Sequence, residues 1–162
     1  MTQSPLSIHL PDAAATEHFG ARLGPLLAGG MVVTLRGELG SGKTTLVRGV
    51  LRARGVEGPI KSPTYALVEH YPVSSLYFYH FDFYRLVSSN EWDDTGVAEY
   101  FRGDSVCLVE WPERVAGLLA TPDLALSLSH ARDGGRDLRV GAFTEEGERC
   151  LSALAREFPT TR

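Results

Sequence analysis

Residues 31–45 read Met31-Val32-Val33-Thr34-Leu35-Arg36-Gly37-Glu38-Leu39-Gly40-Ser41-Gly42-Lys43-Thr44-Thr45, and this stretch decides the fold. Its first five residues form an apolar run of strand length, bounded at once by glycine-rich sequence, and predict a buried strand. Residues 37–44 match G-x-x-x-x-G-K-[ST] at every position. Helical sequence follows from Thr44 to Arg54, and Gly55 supplies a usual stop. Strand, glycine-rich loop and helix in that order let successive backbone N–H groups turn inward on phosphate oxygens. The helix N-terminus adds about half a positive charge. Lys43 is placed to reach the β- and γ-phosphates, and the Thr44 hydroxyl to ligate Mg²⁺. The stretch therefore implies a nucleoside triphosphate site, with Lys43 expected exposed at a helix start. Neither lysine follows an asparagine, so the guanine-reading N-K-x-D motif is absent and ATP is the expected nucleotide.

Working outward, residues 12–28 (DAAATEHFGARLGPLLA) carry apolar side chains at helical spacing behind an Asp12 cap, with Gly24-Pro25 interrupting or bending the helix. Downstream, residues 66–71 and 76–83 predict strands joined by a polar turn at 72–75. Residues 90–101 predict an acidic helix or helix pair, and 105–110 a third apolar strand. Residues 112–119 suit a short helix with Pro112 in its first turn. Residues 124–129 and 137–143 predict a hairpin around Asp133-Gly134-Gly135, and 145–158 a last helix. Strands interleaved with helices give an α/β fold: a mixed, mostly parallel sheet flanked by helices, with a C-terminal hairpin. At 162 residues without repeat, low-complexity tract or long linker, residues 1–162 are expected to form a single domain.

Composition narrows the class. A chain that is 43% hydrophobic and 22% charged is neither a disordered tail, a collagen-like repeat nor a coiled-coil rod. A net charge of −4 excludes a global basic footprint for nucleic acid. Lys43 and Lys61 are the only lysines among sixteen basic residues, which makes a lysine motif less accidental. No apolar run approaches the ~20 residues of a membrane span, and no signal peptide is visible. Cys107 and Cys150 alone cannot build a disulfide framework or a zinc site. The cytoplasm is the expected compartment.

A phosphate-loop enzyme needs a further acid to position Mg²⁺, usually at the end of an apolar strand. Glu110, after Val106-Cys107-Leu108-Val109, and Asp82, after Tyr77-Phe78-Tyr79-His80-Phe81, both qualify. His80, Asp82 and Tyr84 share one strand face while Phe81 and Phe83 share the other. Asp82 could ligate metal through water or orient the attacking water, with His80 supporting it, and Arg85 could pair with an acid or with phosphate. Lys61-Ser62-Pro63-Thr64-Tyr65 lies where switch loops of nucleotide hydrolases sit, though as a bare pattern an ordinary turn fits equally.

Gly37 to Thr45, Ser62-Pro63-Thr64-Tyr65, His80-x-Asp82-x-Tyr84-Arg85 and Val109-Glu110-Trp111, in this order and spacing, resemble the bacterial tRNA threonylcarbamoyladenosine biosynthesis family TsaE, formerly YjeE, over residues 8–145. Glu38, where that family often has Asp, and Ser41, where it often has Ala, leave the cradle intact. The resemblance implies a P-loop NTPase fold and a compact Mg²⁺-dependent ATPase that does not itself transfer the threonylcarbamoyl group. It implies that TsaD and TsaB carry that chemistry at tRNA position 37, that this chain binds their complex to support turnover, and that tRNA is met only through the complex. Thr44 and Glu110 would ligate Mg²⁺; Glu38, Leu39, Gly40, Ser41, Gly42, Lys43, Thr44 and Thr45 would wrap the phosphates. Asp82 would orient water and Thr64 act as a switch residue. Trp111, with Asp12 and Thr16, would lie near the adenosine, and Arg136 would reach the nucleotide. Two other readings fit the phosphate loop: a small-molecule kinase with lid arginines among Arg102, Arg132, Arg136 and Arg139, and an ATP-sensing interaction switch.

Overall fold

A computed structural model describes residues 3–161. At its centre lies β2 (Val32–Arg36), whose Val33 and Leu35 are buried, as a strand covered on both faces requires. β2 runs parallel to β5 (Ser105–Glu110) on one side and to β6 (Leu124–His130) on the other. β4 (Leu76–Asp82) continues the parallel set beside β5, and β3 (Val68–Val73) closes that margin as the antiparallel arm of a hairpin. Pro72 is tolerated in β3 because an edge strand leaves one side of its ladder unpaired. At the opposite margin β7 (Arg136–Ala142) pairs antiparallel with β6, and β1 (Leu6–Leu10) antiparallel with β7. Among the described residues these seven strands make one mixed sheet, in the order β1-β7-β6-β2-β5-β4-β3. Its parallel part is the centre, where the glycine-rich loop leaves β2.

β1 was not expected from the sequence. Its alternation is nonetheless clean, with Leu6, Ile8 and Leu10 buried and Ser7 and His9 partly exposed. The partner that makes it a strand is distant, with Leu6 opposite Val140. β3 lies two residues later than expected, which takes Pro72 and Val73 into the hairpin and leaves only residues 74–75 as the turn, and two other elements are shorter. Residues 90–101 divide into α3 (Asn90–Thr95) and a 3₁₀ turn (Val97–Tyr100), because Gly96 between them takes φ +69°. The helix expected over 112–119 is only a 3₁₀ turn, Pro112–Val115, cut off before Gly117 at φ +85°.

One face of the sheet is covered by two helices in close contact. α1 (Ala13–Leu23) is capped by Asp12, whose carboxylate accepts from Ala15 N at 2.8 Å, and Gly24-Pro25 turn it into a 3₁₀ end as expected. α2 (Lys43–Ala53) starts at the phosphate loop. The two helices meet through reciprocal glycines: a Cβ on Gly20 would lie 2.1 Å from the Leu46 carbonyl oxygen, and one on Gly49 2.1 Å from that of Glu17. Phe19, Leu23, Leu46, Val50 and Leu51 then pack on Phe78, Val106 and Leu108 of the sheet. α4 (Glu145–Glu157), capped by the Thr144 hydroxyl on Gly147 N, closes the same core. The opposite face buries Phe81, Phe83, Trp92, Cys107 and Val109 in a second cluster. Cys107 and Cys150 are both buried free thiols; desolvation pushes Cys107 up to about 12, so it packs rather than reacts.

The helix contact leaves no room for a methyl group on either side. Gly20→Ala and Gly49→Ala should each cost roughly 1–3 kcal/mol of stability by overpacking. Urea denaturation followed by circular dichroism checks this, and wild-type midpoints in both variants would show that the close crossing is not required.

Candidate functional site

Parallel pairing brings three strand ends to one edge of the sheet. Leu35 stands beside Glu110, and Glu110 beside Asp82, so the two carboxylates sit on neighbouring strands and share a face. That face is the one covered by α1 and α2, since Phe78, four residues before Asp82, and Leu108, two before Glu110, pack there. Both acids are interior: Glu110 is 2% exposed and Asp82 4%.

The loop after β2 turns over this pair. Gly40 and Gly42 take φ +76° and +104°, left-handed values that favour glycine, and Gly42 delivers the chain into α2. At Gly37 a Cβ would lie 2.6 Å from the Leu128 carbonyl oxygen. Lys43, expected exposed, is instead 5% exposed. Its ammonium donates to the carbonyls of Gly37 and Glu38, the latter at 3.1 Å, and lies 4.3 Å from the centre of the Trp111 ring. The burial comes from this indole, which Trp111 presents from a left-handed backbone at φ +59°. Desolvation lowers the Lys43 pKa, and the charges of Glu110, Asp82 and Glu113 oppose that shift in that order.

The two acids are tethered differently. Glu110 Oε2 accepts from the Thr44 hydroxyl at 3.0 Å and contacts His80 Nε2 at 2.5 Å. Asp82 Oδ2 accepts from the Ser62 hydroxyl and, at 3.4 Å, from that of Thr64, while Oδ1 accepts from Tyr84 N at 2.9 Å. The support expected from His80 for Asp82 therefore goes to Glu110. Among the described residues Arg85 pairs with neither acid nor the phosphate loop; its guanidinium stacks 4.2 Å from the centre of the exposed Tyr65 ring.

The phosphate loop and the two acids border a cavity of about 340 Å³. Its walls are Leu39 to Thr45 of the loop and α2, then Ser62 and Thr64, Asp82, Glu110 and Trp111. Asp12 and Thr16 line it from the start of α1 while also serving that helix, Thr16 by donating to the Asp12 carbonyl at 3.3 Å. Glu38 stands outside the wall, and only its carbonyl takes part through Lys43. Arg136 lines the cavity, but its guanidinium is engaged by backbone: Nε donates to Ser41 O at 3.0 Å, Nη2 to Gly40 O at 2.9 Å, and Nη1 to the Gly134 and Gly135 carbonyls. It straps the β6–β7 turn to the phosphate loop. His9 braces the strap, meeting Asp133 at 2.7 Å and Asp137 at 3.1 Å, while Asp133 accepts from Gly135 N.

Sequence reasoning missed Ser62 as a site residue, although its place two residues before Thr64 was a usable signal. Gly134 and Gly135 carried no such signal, because only the hairpin register brings their turn beside the loop. Chemically, the cavity offers backbone N–H groups at a helix start, the buried Lys43 cation, and hard oxygens that include the Thr44 hydroxyl and the Glu110 and Asp82 carboxylates.

The family described as threonylcarbamoyl adenosine biosynthesis protein TsaE matches residues 10–138. The tRNA threonylcarbamoyladenosine biosynthesis protein TsaE of Haemophilus influenzae is 37% identical over 155 residues, covering 93% of this chain and 98% of that protein. The protein of the same name from Treponema pallidum is 40% identical over 129 residues, covering 80% and 95%. Among solved structures, Bacillus subtilis YdiB superposes with a TM-score of 0.82 at 27% identity, covering 97% of each chain.

The His9 brace carries a pH signature. Its hydrogen bonds with Asp137 and Asp133 raise the His9 pKa above 6.5, so its stabilisation is complete below pH 6.5 and lost as pH rises through the raised value. Asp133 is lowered below 3.8, first by the Gly135 N–H, so its share is present above pH 3.8 and lost as pH falls through the lowered value. The stability difference between wild type and His9→Ala should therefore be largest between about pH 4 and 6.5 and shrink toward pH 8.5. Thermal unfolding across that range checks it; a difference independent of pH would remove the brace.

Proposed function

Because the chain belongs to the TsaE family, we propose that it is a Mg²⁺-dependent ATPase serving threonylcarbamoyladenosine formation at tRNA position 37. In this reading it acts on a TsaD–TsaB complex to support turnover and meets tRNA only through that complex. The observation that carries the catalytic reading is the convergence of Lys43, Thr44, Glu110 and Asp82 on one cavity at the start of α2.

The backbone N–H groups of residues 38–44 and the α2 terminus receive the phosphates, and Lys43 exchanges its loop carbonyls for β- and γ-phosphate oxygens. The Thr44 hydroxyl and Glu110 carboxylate, already 3.0 Å apart, hold Mg²⁺. Among the described residues no three His, Cys, Asp or Glu side chains gather to enclose a metal. That fits Mg²⁺, which keeps several waters and takes one or two protein oxygens beside phosphate. When bound, Mg²⁺ supplies neutralisation of charge developing on the phosphate oxygens. Asp82 accepts the hydrogen bond of the attacking water and aligns its lone pair on the γ-phosphorus, as Ser62 and Thr64 yield its Oδ2. The Ser62–Thr64 segment thereby changes partners with the nucleotide state, which suits a switch. Trp111 covers Lys43, and Asp12 and Thr16 form the wall offered to the adenosine.

The kinase alternative needs free arginines over the phosphates. Of its four candidates only Arg136 lines the cavity, and that guanidinium is held by four carbonyls. Arg102 pairs with Asp104 at 3.3 Å instead.

A metal ligand acts in the ground state as well as the transition state, whereas a water-orienting group acts in the transition state. Asp82→Ala should therefore bind MgATP normally yet lose about 10²–10⁴-fold in single-turnover hydrolysis. Glu110→Ala should lose MgATP affinity and hydrolysis together. Phosphate release without added acceptor, measured beside MgATP binding, decides it: reversed phenotypes would exchange the two roles, and no release by wild type would favour a kinase or a non-hydrolysing switch.

A further inference from the structure

The imidazole of His80 is fully buried and is not accounted for by the cavity, whose wall it does not join. Its Nε2 lies 2.5 Å from Glu110 Oε2, between side chains that are 0% and 3% exposed. Its Nδ1 is, with Ser41 Oγ, one of two buried side-chain polar atoms without a partner among the described residues. A proton on Nδ1 would be a buried donor with nothing to receive it, so Nε2 carries the proton and donates to the carboxylate. One oxygen of Glu110 is thus gripped from inside the sheet, while the Thr44 hydroxyl meets both oxygens from the helix side, at 3.0 and 3.3 Å.

We infer that His80 is a positioning residue, holding Glu110 in the rotamer that presents its carboxylate to a divalent cation beside Thr44. The role rests on Thr44 and Glu110 forming the Mg²⁺ edge. Glu110 has a competing attraction: Lys43 is buried nearby, and Glu110 is the acid that most stabilises its charge. A carboxylate freed from His80 turns toward that ammonium, which weakens the metal edge. The imidazole sets the direction without touching nucleotide, since among the described residues its only polar contact is the carboxylate. A histidine fits this task because it delivers one N–H donor on a rigid ring from a strand residue two positions before Asp82.

The test separates metal binding from folding and from turnover. Binding of a fluorescent, non-hydrolysable ATP analogue is titrated with Mg²⁺, and separately measured in EDTA, for wild type, His80→Leu and His80→Gln. Loss of a group that orients a metal ligand should raise the Mg²⁺ needed for half-saturation by about 10- to 100-fold in His80→Leu. Affinity in EDTA should stay at the wild-type value. His80→Gln, whose amide N–H₂ stands near the place of Nε2, should recover most of the loss. A wild-type Mg²⁺ requirement in His80→Leu overturns the role, as does a parallel fall of both affinities that glutamine fails to rescue. Wild-type binding indifferent to Mg²⁺ overturns the metal edge itself. If His80→Leu does not fold, His80→Asn, one methylene too short to reach Glu110, is judged by the same outcomes.

Discussion

An ammonium buried beside two buried carboxylates is the constraint on which the rest of this structure depends. Lys43 is 5% exposed, Glu110 2% and Asp82 4%, and charges removed from water to this degree are costly unless they are paired and hydrogen-bonded. Here each is satisfied by a different element: Lys43 by loop carbonyls and the Trp111 ring, Glu110 by Thr44 and His80, Asp82 by Ser62, Thr64 and the Tyr84 amide. The parallel register of β2, β5 and β4 brings the acids together, and α2 brings the cation over them.

The remaining architecture keeps that arrangement in place. The glycine-mediated crossing of α1 and α2 seats the phosphate loop at a fixed height above the strand ends. On the other side the β6–β7 hairpin reaches back through Arg136, so loop carbonyls that would otherwise need water are held by a guanidinium fork. β1 and its His9 brace that hairpin. The margins of the sheet, antiparallel and outside the phosphate-loop core, thus act on the site by stiffening the loop it depends on.

Much of this was legible in the sequence, for local reasons. The phosphate loop is a contiguous motif with a compulsory strand before it and helix after it, and Glu110 and Asp82 each end an apolar run. What was not legible depends on distant partners. The strand at Leu6–Leu10 exists because β7 pairs with it. Lys43 was expected in solvent because its motif says nothing of Trp111, whose ring arrives from the end of β5. The alternation of β4 correctly placed His80 and Asp82 on one face. It could not show that parallel pairing sets Glu110 on the next strand within reach of the imidazole, and so His80 was given the wrong carboxylate. Arg136 was expected at the nucleotide and does stand at the cavity, yet four backbone carbonyls hold its guanidinium.

The central claim is that the phosphate loop and the two strand-end acids form one nucleotide and metal site with divided roles. A crystal structure of the chain with Mg²⁺ and a non-hydrolysable ATP analogue tests it most directly. The account predicts the metal between the Thr44 hydroxyl, Glu110 and the β- and γ-phosphates, Lys43 moved from the Gly37 and Glu38 carbonyls onto phosphate, and Asp82 facing the γ-phosphorus across a water. A metal held by Asp82 with Glu110 turned away, or a nucleotide bound elsewhere on the sheet, would contradict it.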